Sequence, residues 1–128
     1  MFAGKRPSTL GVQSGRLAPC PTTPNCVCSY DSDDLHKIEP LRYSSTPAAA
    51  WDKLKQTIAA LERTKIVTVS EEYLYAEFTS KLMGFVDDVE FYLDPTAGAI
   101  HVRSASRLGQ SDLGVNRKRI ELIRSQLS

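Results

Sequence analysis

Val89-Glu90-Phe91-Tyr92-Leu93, then Asp94-Pro95-Thr96-Ala97-Gly98, then Ala99-Ile100-His101-Val102-Arg103 is the stretch that decides the fold. Val89, Phe91 and Leu93 alternate with Glu90 and Tyr92, and Ile100 and Val102 alternate with His101 and Arg103. A period of two marks strands with one buried face. The Asp-Pro to Gly segment between them is a turn signal, so the two strands form a hairpin. Alternation with a short connection argues for an antiparallel sheet over a parallel one.

The buried pattern also restricts the register, because a slip of one residue would turn every side chain to the other face. Two registers keep Val89, Phe91 and Leu93 beside Ile100 and Val102. One sets Arg103 opposite Glu90 and the other sets it opposite Asp88. In both, the second face collects Asp88, Glu90, Tyr92, His101 and Arg103. That face is either a solvated surface with ordinary ion pairs or a polar pocket beneath the N-terminal arm, where carboxylates near a histidine could do acid–base work.

Working outward, Tyr73 to Lys81 alternates with Leu74, Ala76 and Phe78 on one side and Tyr73, Tyr75, Glu77 and Thr79 on the other. Ile66 to Val69 is a short β-branched strand candidate. Before it, Thr46 and Pro47 suit the N-cap and first position of a helix. Trp51, Leu54, Ile58 and Leu61 then recur at helical spacing over about four turns. After the hairpin, Ile120, Ile123 and Leu127, extended by Leu113, mark a final helix capped by Ser111 or Asp112. The expected fold is α+β. It is a four-stranded antiparallel sheet with two helices packed on one face, preceded by a long irregular Cys/Pro-containing arm. Residues 1–15 read as a flexible arm rich in Gly, Ser and Pro, and 16–128 as a single domain.

Length and charge bound the function. The chain has 128 residues, 41% apolar and 24% charged, with a net charge of +1. This is one ordinary domain, without the basic excess of a nucleic-acid binder. It has no run of about 20 apolar residues to span a bilayer. Lys5 and Arg6 are not followed by an apolar run, so no secretory signal is expected and the location reads as cytoplasmic. Near neutrality conceals a division: residues 71–94 hold seven acidic groups and one basic, while 101–128 hold six basic and two acidic. The two blocks either neutralise each other within the domain or leave arginines over for an anionic ligand or partner.

Arg103 to Gly114 joins the hairpin to the last helix with small residues, hydroxyls and the arginines Arg103 and Arg107; Arg117 follows in the helix. Helix N-termini and arginine forks suit carboxylates and phosphates. No phosphate-binding glycine loop is present, and no cofactor is expected. Asp88, Glu90, Arg103, Arg107, Ser111 and Arg117 are the candidate ligand-binding residues. All three cysteines lie between Cys20 and Cys28. Their spacing does not suit zinc, and no metal is expected. Cys20 and Cys26 could meet across the two-proline turn as a disulfide, which in a reducing compartment would be redox-linked. A nucleophilic cysteine would need a base, and His36 is the local candidate.

Three ordered motifs carry a resemblance. CPTTPNCVCS at 20–29, FVDDVEF at 85–91 and RSASRLGQSDLGVNRKRIELIR at 103–124 resemble the domain-of-unknown-function 1499 family over about residues 16–127. The resemblance implies that Cys20, Asn25, Cys26, Asp87, Asp88, Glu90, Arg103, Ser106, Arg107, Ser111, Asp112, Asn116 and Arg117 fill the family's motif positions. It implies no particular activity. Relatives with a lipoprotein signal or membrane helices imply an envelope location as the alternative, and this chain shows no such segment. Cys28 stands where the family motif usually has Ser. The leading expectation is a non-enzymatic binding or assembly module for an anionic small molecule or a protein partner. The alternatives are a small hydrolase or transferase using Asp87, Asp88 or Glu90 with Arg103 or Arg107, and a redox-sensitive protein acting through Cys20 and Cys26.

Overall fold

The computed structural model describes residues 4–81, 83–109 and 111–127. The first three residues of the expected arm and Gln110 of the connecting segment lie outside them, as do Leu82 and Ser128. The elements run β1 (Cys26–Cys28), β2 (Leu41–Arg42), α1 (Pro47–Ala59), β3 (Thr64–Val69), β4 (Tyr73–Thr79), β5 (Val86–Asp94), β6 (Ala99–Ser106) and α2 (Val115–Leu127). The fold is α+β with an antiparallel sheet and two helices. Among the described residues no helix is long and apolar enough to cross a membrane.

The sheet has six strands, not four. Its order is β1-β6-β5-β4-β3, with β2 also paired to β6. The two additional strands come from the segment that reads as irregular. β1 has three residues and β2 two, too few to show alternation, and both pair with β6 far along the chain, at Ala105 for Cys26 and Ile100 for Leu41. Nothing local announces such a partner.

The β5–β6 hairpin adopts the register that sets Glu90 opposite Arg103. Phe91 then faces Val102 and Leu93 faces Ile100, so both apolar rows coincide. β4 adds Leu74, Ala76 and Phe78 to them. Trp51, Leu54 and Ile58 of α1 and Ile120 and Ile123 of α2 complete one hydrophobic cluster with these rows. Fully burying each such side chain contributes about 1.5–3 kcal/mol before entropy is counted. The Thr46 hydroxyl accepts from the Ala49 N–H and caps α1. α2 begins at Val115 rather than Leu113, because Leu113 and Gly114 have positive φ values of 54° and 80° and cannot be helical.

Candidate functional site

The apolar rows force the alternate residues of β4, β5 and β6 onto the opposite face, and the centre of that face is buried. Asp88 and Glu90 are each 1% exposed. The N-terminal arm lies over them. Arg6 donates to Glu77 through Nε and Nη2 at 2.9 and 2.8 Å. The Gly11 N–H donates to Glu90 Oε2 at 2.7 Å, and Arg103 Nη2 donates to the Pro19 carbonyl at 3.4 Å. Tyr30 stacks on His101 at 4.0 Å between ring centroids, with the Arg16 guanidinium over Tyr30.

Buried charge requires partners, and the network supplies them. Arg107 follows β6 and turns back over the face. It donates from Nε to Asp88 Oδ2 at 3.1 Å and from Nη2 to Asp88 Oδ1 at 2.7 Å. The same Nη2 reaches Glu77 at 2.9 Å. Tyr75 donates its hydroxyl to Asp88, and Tyr73 donates to Glu90 at 2.6 Å. Burial and the neighbouring carboxylates push both tyrosines well above the usual phenol range. Hydrogen bonds from its guanidinium to Asp88 raise Arg107 further. Burial raises the Glu90 carboxyl despite its two donors. Glu77 is lowered: burial opposes this, but its bonds from Arg6, Arg107 and Tyr75 prevail. Among the described residues, buried Glu90 Oε1 and Arg103 Nε have no hydrogen-bond partner.

A second polar cluster sits under the start of α2. Asn116, fully buried, accepts from Ser104 Oγ and Arg119 Nη1 at 2.7 and 2.8 Å. Its amide donates to Asp112, Ser106 and the Asn25 carbonyl. Arg119 also bonds Asp87 at 2.7 Å and lies over the Phe78 ring. Burial raises Asp87 even so. Asp112 accepts from the N–H groups of Gly114 and Asn116. Its carboxyl is lowered, because these donors outweigh burial.

The six candidate binding residues therefore divide. Asp88, Glu90, Arg103 and Arg107 lie beneath the arm. Ser111 and Arg117 instead line a recess of about 250 Å³ with Pro24, Leu35 and Leu113. Arg117 donates to the carbonyls of Lys37 and Leu35, which fixes one wall. Reasoning from sequence passed over Tyr73, Tyr75, Arg6 and Arg119. The i, i+3 spacing of Asn116 and Arg119 was the available signal for the last. The helical spacing extends the apolar face of the last helix to Leu113, yet Leu113 is 86% exposed. Its position one residue past the Asp112 cap and before Gly114 places it in a turn, outside the helical period.

In the arm, Cys20 and Cys26 form a disulfide. His36 is buried and uses both ring nitrogens: Nδ1 meets Asp33 at 2.6 Å and Nε2 meets the Thr23 carbonyl at 2.8 Å. It is bound to structure and does not face a cysteine as a base. The Cys28 thiol is buried, and burial raises it to about 11, far from a reactive thiolate. Among the described residues no group of three or more His, Cys, Asp or Glu side chains is arranged to hold a metal.

Comparison with known proteins adds one finding. The profile of a family described as "Protein of unknown function (DUF1499)" matches residues 16–127. No curated protein and no solved structure matches the chain.

Proposed function

Since the chain belongs to the DUF1499 family of proteins of unknown function, we propose that it is a non-enzymatic binding or assembly module whose recognition surface is the recess at the start of α2. One observation carries the reading. Leu113 is 86% exposed, yet it is held at φ 54°, a conformation that costs a leucine roughly 1–2 kcal/mol. The Asp112 carboxylate braces the turn by accepting from the Gly114 and Asn116 N–H groups, and Asn116 anchors Asp112 to the sheet cluster. A fold gains no core packing by displaying a leucine in a strained turn. A partner that receives the leucine does gain from its being fixed in advance. Leu35, 51% exposed, lines the same recess and adds a second apolar contact. The partner this fits is a protein with apolar side chains to set between them.

The polar network beneath the arm supports the same reading. Asp88 and Arg107 are committed to each other, and Glu90 to Tyr73 and Gly11. Acid–base work needs a group within reach of a substrate, and these are covered.

The test is recovery of binding proteins from the native host with wild-type and Leu113→Asp bait, followed by reconstitution with the purified binder. The expected result is a binder whose affinity falls at least tenfold with Leu113→Asp while the melting temperature holds. A binder indifferent to Leu113→Asp, or no binder at all, overturns the proposal.

A further inference from the structure

Sharing no lining residue with that recess, a larger cavity of about 710 Å³ lies between β2, the loop after it, the first turns of α1 and the end of α2. This is within the size range of small-molecule sites. Its apolar walls include Leu41, Ile100 and Leu127. Leu41 and Ile100 are themselves core residues, so the cavity reaches the hydrophobic cluster.

Its charged lining is of one sign. Arg42 and Lys53 both line it. Neither forms an ion pair among the described residues. Lys53 donates to the Leu127 carbonyl at 3.0 Å, which uses one of three ammonium protons. The first turn of α1 carries no acidic side chain to oppose an anion, and the helix dipole favours one there. A chamber with apolar walls on one side and cations on the other matches a ligand of apolar body and anionic head.

We propose that this cavity binds a medium-chain carboxylate, its alkyl chain against Leu41, Ile100 and Leu127 and its carboxylate beside Lys53 and Arg42.

Calorimetric titration with decanoate, decanol and acetate tests it on the full chain. Decanoate is expected to bind one per chain below its micelle concentration, decanol more weakly, and acetate not measurably. Lys53→Gln should weaken decanoate about fivefold or more and leave decanol unchanged. Ala49→Leu, an exposed lining residue enlarged toward the cavity, should abolish both; its melting temperature reports that it folds. Saturable decanoate binding that Ala49→Leu does not reduce overturns the site. Binding that Lys53→Gln does not distinguish from decanol overturns the headgroup assignment. No saturable decanoate binding overturns the proposal entirely.

Discussion

Arg107 holds Asp88 through two hydrogen bonds from separate nitrogens to separate oxygens, at 3.1 and 2.7 Å, with the carboxylate side chain 1% exposed and the guanidinium side chain 7%. The pair lies where the arm, β4 and β5 meet. Removing one partner of a buried pair leaves the other uncompensated. Arg107→Ala is expected to lower stability by about 3–5 kcal/mol in urea unfolding. Arg107→Lys, which keeps charge but not the fork, should fall between it and wild type. Adding Asp88→Asn to Arg107→Ala should recover part of the loss. Equal stability of wild type and Arg107→Ala would show the pair to be dispensable.

His36 gives a pH dependence. Burial alone would lower it, but the Thr23 carbonyl and the Asp33 carboxylate outweigh burial and raise it above 6.5. Both partners are acceptors, so both ring nitrogens must donate and the imidazolium is the fitted form. A raised folded value means the contribution is complete below the unfolded pKa and is lost as pH rises through the folded one. The melting-temperature advantage of wild type over His36→Gln should therefore shrink as pH rises past 6.5. An advantage that grows with pH would contradict the assignment.

Leu113 separates stability from display. Leu113→Gly removes the cost of positive φ, offset by glycine's freedom in the unfolded chain. The net effect expected is a gain of up to about 1 kcal/mol. Leu113→Ala keeps the φ cost and should change little. A clear loss of stability in Leu113→Gly would mean the side chain packs within the domain.

The cysteines should behave oppositely. Replacing Cys20 and Cys26 by Ser opens a loop with a sequence separation of six and should cost roughly 2 kcal/mol. Cys28, buried and with its thiol raised to about 11, should resist iodoacetamide at pH 8 until the protein unfolds. Rapid native alkylation at Cys28, read by mass spectrometry, would contradict its burial.

The hairpin was legible because Phe91, Val102, Leu93 and Ile100 repeat at a period that only one face can absorb. Its alternatives narrowed to two registers, and choosing between them needed Arg103 placed against Glu90 in space. The arm was not legible. Gly11 and Pro19 act through backbone groups that every residue carries, so no side-chain type marked them. The division of the candidate residues was equally hidden. Arg107 and Ser111 are four positions apart, yet the chain bends at Arg107 and Leu108 and sends them to different surfaces.

β6 has one further consequence, for the order in which the molecule can assemble. Cys26 waits for Ala105 and Leu41 for Ile100, so the first third of the chain is synthesised long before the strand it needs exists. Until then its edges have no template, and the arm cannot settle on a face not yet built. Completion of this protein is thus a late, long-range event that follows the hairpin, and folding should be slow for a domain of its size.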